Sequence, residues 1–142
     1  MMMHRILVVA VLYSSVAVAS AADSIMAIHR TNADNYKDRA LAACLAVAYQ
    51  GSQAGEDADI TKSVFLEWTY YDEDKGNQAT DQLVEKYLSR NYSTPVEGYA
   101  KAEFRLLKCL DMYHSQDLNE QVRKYVPHPN WIGDKPLEQK GK

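Results

Sequence analysis

Apolar side chains recur at every third or fourth position along most of this chain of 142 residues. That spacing is typical of helices that bury one face, whereas a half-buried strand alternates apolar and polar residues. A clear example is the stripe formed by Ala102, Leu106, Cys109, Leu110 and Tyr113. No strand-like alternation competes with it in the sequence. The pattern therefore predicts an all-α protein, a compact bundle of four to five helices with short connections.

Capping and breaking residues indicate where these helices begin and end. Asp34 is a predicted N-cap, and residues 94–97 and 117–120 match the capping box, in which a Glu follows the cap by three positions. Residues 51–59, with two glycines and three acids, are predicted to form a loop, and residues 72–77 a charged turn. The predicted helices cover approximately residues 35–50, 60–71, 78–90, 95–114 and 118–125.

The first 21 residues differ in character from the rest. Arg5 precedes an apolar run, and the segment ends in small residues, as a signal-peptidase site does. A membrane anchor is the alternative, but it needs about 20 apolar residues. The stretch between Arg5 and Asp23 is barely that long and is interrupted by serines. We therefore predict a cleaved signal peptide at residues 1–21 and a periplasmic mature protein without membrane contact.

The remaining sequence has the length of a single domain. Residues 22–33 carry few core signals and are predicted to form a loosely held N-terminal leader. Residues 34–142 are the predicted helical domain, with an extended tail from about residue 127, where proline and glycine interrupt the helical pattern. Trp131 and Ile132 are expected to pack the first part of this tail against the bundle.

Cys44 and Cys109 are the only two cysteines, and both follow the predicted signal peptide. Each shares a helical face with apolar residues, so both are expected to point towards the core. Oxidising compartments favour pairing of such cysteines. The sequence therefore predicts one intramolecular disulfide. Two buried free thiols, behaving as small hydrophobic side chains, remain the alternative.

Charge and motifs argue against several classes of function. The formal net charge is −3 and no basic run is present, whereas a nucleic-acid-binding protein needs clustered Lys and Arg. The sequence contains none of the common nucleophile, metalloprotease or phosphate-loop motifs. The histidines share no helical face, as a metal site would require. We therefore predict a protein that is not an enzyme and needs no cofactor.

Tyrosine is unusually common, with ten Tyr against two Phe. Tyr70, Tyr92 and Tyr99 have no evident place on a buried helix face. Tyrosine is favoured at protein interfaces because it combines an apolar ring with a polar tip. Scattered exposed tyrosines are also normal, so the pattern is compatible with an interface and does not require one.

Several segments together resemble a known family. The chain is similar to the immunity proteins of type VI secretion amidases, those paired with the fourth amidase family, over nearly all of the sequence after the signal peptide. The segments that carry the resemblance are residues 41–49, 63–72, 95–99, 106–114 and 125–129, including Trp-Thr-Tyr-Tyr and Val-Pro-His-Pro.

The resemblance implies an exported, helical inhibitor that is a homodimer and performs no catalysis. Its partner would be a papain-like cysteine amidase that cuts the peptide stems of peptidoglycan. Two immunity subunits would cooperate, one inserting an element into the amidase cleft and the other supporting it. A periplasmic helical binding module or chaperone, unrelated to toxins, is the alternative.

Candidate effector-binding residues come from the polar surface around the third predicted helix. An acidic protein would associate faster with a basic effector, and a protruding element would exclude substrate from a cleft. The candidates are Glu73, Asp74, Lys75 and Asn77 in the predicted turn, with Gln82, Glu85 and Lys86 on the exposed helix face. The alternative is that the turn is merely a solvated connection.

Overall fold

The computed structural model describes residues 22–93 and 96–136 of the chain. The predicted signal peptide at residues 1–21, the first two residues of the predicted capping box at 94–97, and residues 137–142 lie outside this part. Among the described residues, none of the helices combines the length and the hydrophobicity that a bilayer span requires.

The described residues form five α-helices, which confirm the predicted all-α bundle. They are α1 (Asn32–Ala48), α2 (Gln53–Val64), α3 (Glu73–Leu88), α4 (Arg105–Tyr113) and α5 (Gln116–Tyr125). Single-turn 3-10 helices, Met26–His29 and Phe65–Trp68, precede α1 and follow α2. α1 is the central element, because it contacts each of the other four α-helices.

The core is built around small side chains on α1. Ala40 and Ala43 are buried, and their size lets the neighbouring helices approach the α1 backbone closely. Larger side chains from the other helices fill the remaining space, among them Leu83 of α3, Met112 of α4 and Leu118 of α5. Burial of such side chains is the main force that holds a small helical domain together.

The predicted disulfide is confirmed. Cys44 of α1 and Cys109 of α4 are bonded, with an S–S distance of 2.06 Å, and both are fully buried. A second contact between these helices is the hydrogen bond from Tyr113 Oη to Asp38 Oδ1, at 3.1 Å. The two pairings run in opposite chain directions, so α1 and α4 are antiparallel neighbours.

The predicted loop at residues 51–59 is wrong, because α2 begins at Gln53. Ser52 caps this helix, and its Oγ accepts a hydrogen bond from the Gly55 N–H at 3.2 Å. Gly55 itself is required by packing, since a β-carbon there would collide with the Tyr49 carbonyl at the end of α1. The glycine that suggested a loop therefore allows a tight α1–α2 corner.

The charged turn predicted at residues 72–77 is also wrong. Asp72 is the N-cap of α3, and its Oδ1 accepts a hydrogen bond from the Lys75 N–H at 3.1 Å. Gly76 is buried inside the helix, where a β-carbon would lie 2.9 Å from the Tyr71 ring. A glycine that resembled a helix breaker thus lets two tyrosine rings, Tyr71 and Tyr36, pack directly on α3.

The fourth helix is shorter than predicted. It was expected to begin near residue 95, but α4 begins at Arg105, and residues 96–104 contain no helix. Gly98 and Phe104 both have positive φ, at 88° and 53°, which a continuous α-helix does not allow. The predicted N-caps Asp34 and Asp117 are likewise displaced, because the hydroxyl groups of Thr31 and Ser115 cap α1 and α5.

Polar bonds to the start of α1 hold the leader and the tail. Asn32 is fully buried, and its Nδ2 donates to the carbonyls of His128 and Gly133 at 3.0 and 2.7 Å. Its backbone N–H donates to the Trp131 carbonyl at 2.7 Å. The adjacent leader is held by Asn35, whose Nδ2 donates to the Ala27 carbonyl at 3.0 Å. The sequence analysis predicted only apolar packing for the tail and did not predict these hydrogen bonds.

Candidate functional site

The first turn of α3 carries four of the predicted contact residues. Glu73, Asp74 and Lys75 are exposed there, and acids are favoured at the positive end of a helix dipole. Asn77 is half-buried instead, and its Oδ1 accepts a hydrogen bond from Tyr71 Oη at 2.6 Å. Burial raises the pKa of Tyr71 to about 12, so the phenol remains a donor. Asn77 therefore has an intramolecular role. Glu73 and Asp74 are available to a partner, and the Nζ of the exposed Lys75 lies 3.4 Å from Asp72 Oδ2.

Two more predicted residues, Gln82 and Lys86, line a groove between α3 and α5. Lys86 Nζ lies 2.7 Å from Asp117 Oδ2 at the start of α5, and Tyr87 Oη donates to the same oxygen at 3.3 Å. The hydrogen bond from the Lys86 ammonium holds the pKa of the Asp117 carboxyl below its usual value. This ion pair orients Lys86 along the groove, which has a volume of about 340 Å³.

Glu85, the last of the predicted contact residues, lies on a different side of α3. It lines a cavity with Asp81 and with Val47 of α1, away from α5. The seven candidates thus occupy three separate places: the N-terminal turn of α3, its α5 side and its α1 side. The structure does not bring them together into one continuous patch.

The connection between α3 and α4, which we call the Tyr99 connection, is described at residues 89–93 and 96–104 and is exposed at residues 96–101. The sequence analysis singled out Tyr99 but assigned this segment to a helix. The connection follows Leu88 and ends at Phe104, and it is much longer than the connections between the other consecutive helices. Tyr99 lies in its centre with 59% of its surface exposed. Tyr92, by contrast, donates a hydrogen bond to Asp111 Oδ2 of α4 at 2.5 Å. The positive φ angles of Gly98 and Phe104 break the predicted helix. Of the two residues, only the glycine indicates such a break in the sequence.

Two basic side chains of α4 bind the C-terminal ends of α3 and α1. Lys108 Nζ donates to the Leu88 carbonyl at the end of α3, at 3.2 Å. Arg105 Nη1 donates to the Ala48 carbonyl at the end of α1, at 3.0 Å, and Arg105 also pairs with Glu103. Cations are favoured at the C-terminal end of a helix dipole. These bonds hold the start of α4 against the ends of α1 and α3, between which the connection runs.

α4 presents an apolar surface next to the connection. Leu106, Leu107 and Leu110 are between 37% and 49% exposed, although the sequence stripe suggested that Leu106 and Leu110 accompany Cys109 into the core. In this short helix only Cys109 and Met112 are buried. Three partly exposed leucines within five residues form an apolar surface of the kind that partner proteins cover.

The chemistry available to the described residues is limited. No group of three or more His, Cys, Asp or Glu side chains in the described ranges is arranged to hold a metal ion. Both cysteines are consumed by the disulfide. The features that remain are surfaces: the start of α3, the α3–α5 groove, the Tyr99 connection and the leucines of α4.

Comparisons with known proteins identify a family. A family model described as type VI secretion system (T6SS) amidase immunity protein, Tai4, matches residues 34–122. No curated protein matches the chain. A chain from the structural work titled "New Type VI-secreted toxins and self-resistance proteins in Serratia marcescens" is 26% identical, with a TM-score of 0.67, covering 82% of this chain and 93% of that one.

A second solved structure has the same fold. It is titled as the effector–immunity system Tae4/Tai4 from Salmonella typhimurium and is 24% identical, with a TM-score of 0.62, covering 72% of this chain and 96% of that one. At that identity the likeness concerns the fold alone. The family match spans α1 to α4, most of α5 and both cysteines. The chain therefore belongs to the type VI secretion system amidase immunity protein family, Tai4.

Proposed function

We propose that the chain is a periplasmic immunity protein that binds and inhibits a cognate peptidoglycan amidase effector. It would thereby protect the cell from its own type VI secretion system and from that of sibling cells. The observation that carries the proposal is the match to the amidase immunity family over residues 34–122. The partner named in the Salmonella structure, an effector, supports the same pairing here.

Inhibition is proposed to occur by occlusion of the amidase cleft, without any reaction in the immunity protein. Binding sites for small substrates are concave, so an exposed segment that enters the cleft would exclude the substrate. The Tyr99 connection fits this requirement, because Tyr92 bonds to Asp111 near its start and Glu103 pairs with Arg105 at its end. Tyrosine is among the residues that most often dominate binding energy at interfaces. We therefore assign Tyr99 to the centre of the contact with the effector.

The exposed residues of α3 are proposed as flanking contacts. Gln82, Glu85 and Lys86 lie in the second half of α3, close to where the connection leaves that helix. Glu73, Asp74 and Lys75 lie at the other end and would widen the interface. A stable interface buries about 800 Å² on each partner, which needs more than one short segment. Asn77 is proposed to contribute to effector binding only indirectly, because it accepts the hydrogen bond from Tyr71 Oη next to the start of α3.

The leucine face of α4 is proposed to form a homodimer with a second copy of the chain. Replacing Leu106 and Leu110 with aspartate (Leu106→Asp with Leu110→Asp) is expected to convert the dimer to a monomer, because it places charges in an apolar interface. Sedimentation equilibrium should show the halved mass. Ile60→Asp is the matched control, since Ile60 is an exposed apolar residue on α2, outside this face. A monomeric wild-type protein at micromolar concentration would contradict the dimer.

Export is proposed to be necessary for protection. Cells that carry a periplasm-directed amidase should survive when they express the full chain, and lyse when they express a chain lacking residues 2–21. Survival in culture is the measurement. Equal protection by both forms would contradict a periplasmic site of action. Purified oxidised protein that begins at Ala22 is the control, and it should inhibit the amidase in solution.

A further inference from the structure

An apolar groove runs along the exposed side of α1, between the start of α2 and the second half of α3. Two adjoining cavities, of about 370 and 400 Å³, meet at Val47 and Asp81. Val47 forms part of the floor and is 56% exposed, although it belongs to the central helix of the bundle. Val84 and Leu88 of α3 extend the apolar lining. We call this feature the Val47 groove.

The walls of the Val47 groove are acidic. Asp81 and Glu85 line it from α3, and Glu56 faces them from α2. Asp59 also lines it, but this carboxylate pairs with Lys62 at 2.5 Å. Glu56, Asp81 and Glu85 form no ion pair with any residue in the described ranges. Lys62 also lines the groove and is the cation that pairs with Asp59, so the described lining carries four carboxylates and one ammonium group.

The placement of two of these acids opposes the stability of α3. Asp81 and Glu85 are four residues apart, and like charges at that spacing destabilise a helix by a few tenths of a kcal/mol. Glu85 also lies in the last turn of α3, where the helix dipole disfavours an anion. Neither carboxylate is offset by a hydrogen bond to a side chain that the structure describes. Local stability thus gives no reason for acids at these two positions.

We propose that the Val47 groove binds a basic segment of the amidase effector. An apolar side chain of that segment would cover Val47, and two Lys or Arg side chains would face Asp81 and Glu85, which are about 6 Å apart on one helix face. This inference rests on the proposed function, and it adds the chemistry of the partner element. A positively charged segment of the effector would be attracted to the carboxylates of the groove, and this attraction would increase the association rate.

The test compares two double variants of equal charge change. Asp81→Asn with Glu85→Gln removes the two α3 acids of the groove. Glu67→Gln with Asp134→Asn is the matched control, because both residues are exposed and lie outside the groove. Association with a purified type VI amidase of the effector family that pairs with this immunity family is measured by surface plasmon resonance at low and high salt. Thermal unfolding of each variant is measured in parallel.

The groove variant is expected to associate about tenfold more slowly, with a weaker dependence on salt, while the control keeps the wild-type rate. Its melting temperature should equal or exceed that of the wild type, which separates loss of binding from loss of fold. An unchanged rate for the groove variant, or an equal loss in both variants, would overturn the inference and leave the proposed function intact. A wild-type protein that does not bind the amidase would overturn the proposed function itself.

Discussion

Replacing both cysteines with alanine (Cys44→Ala with Cys109→Ala) is expected to lower the free energy of unfolding by about 4 kcal/mol. The bond joins residues 65 positions apart, and the closed segment contains all of α2 and α3. Without the bond the unfolded chain gains the freedom that this closure removes. Urea unfolding, followed by circular dichroism, measures the difference. A loss of this size is a large part of the stability of an ordinary domain.

Reduced wild-type protein is the control for the cysteine substitutions, because it lacks the bond but keeps both sulfur atoms in the core. It should unfold close to the urea midpoint of the double alanine variant, with the remaining difference arising from the two small cavities. If oxidised wild type and variant share one midpoint, the disulfide does not contribute to global stability.

Tyr99→Ala is expected to weaken inhibition of the cognate amidase by roughly 30-fold, which corresponds to the ~2 kcal/mol typical of an interface hot spot. The reason is that the exposed ring lies in the middle of the connection proposed to enter the cleft. The inhibition constant is measured from residual hydrolysis of peptidoglycan peptides. The melting temperature should not change, because the ring contributes little to the core.

Tyr70→Ala is the matched control for this substitution. Tyr70 is similarly exposed, at 51%, but it lies before α3 and stacks near His128 of the tail, with ring centroids 5.9 Å apart. Its loss should leave inhibition close to that of the wild type. Equal inhibition by wild type and the Tyr99 variant would exclude the connection as the element that blocks the amidase.

The helical class and part of the core were predictable from local spacing, although Leu106 and Leu110 are exposed instead of buried. The sequence placed Cys44 on one helical face with Leu41 and Ala48; Cys44 and Ala48 are buried and Leu41 is half-buried. The bond to Cys109 was predicted from this pattern together with the expected oxidising compartment, with two free thiols as the alternative. The spacing of apolar residues depends only on neighbouring positions, so it can be read from one sequence without knowledge of the fold.

The helix boundaries were harder to predict, because they depend on contacts between distant residues. Gly55 and Gly76 resemble helix breakers, yet each lies in a helix at a point where another part of the chain approaches too closely for a β-carbon. Conversely, residues 94–97 match a capping box, whereas α4 begins only after Phe104 adopts positive φ. Tertiary contacts overrode propensity in all three places.

The separation of Glu85 from Gln82 and Lys86 follows from helix geometry alone, whereas the place of residues 73–77 depends on where α3 starts. Successive residues turn by about 100°, so Lys86 and Gln82 lie on one side while Glu85 lies about 100° from Lys86. The sequence interpretation began the helix at Gln78 and treated the preceding residues as a turn. The Tyr99 connection had no such rule to reveal it, because an effector-binding surface depends on the shape of the partner as well as on this chain.

Titration of the purified cognate amidase with the oxidised protein tests inhibition by binding most directly. The measured quantity is the rate of hydrolysis of peptidoglycan peptide stems at increasing ratios of immunity protein to amidase. Hydrolysis is expected to fall linearly and to stop at a near-stoichiometric ratio of immunity protein to amidase. Undiminished hydrolysis in the presence of excess immunity protein would contradict the proposed function.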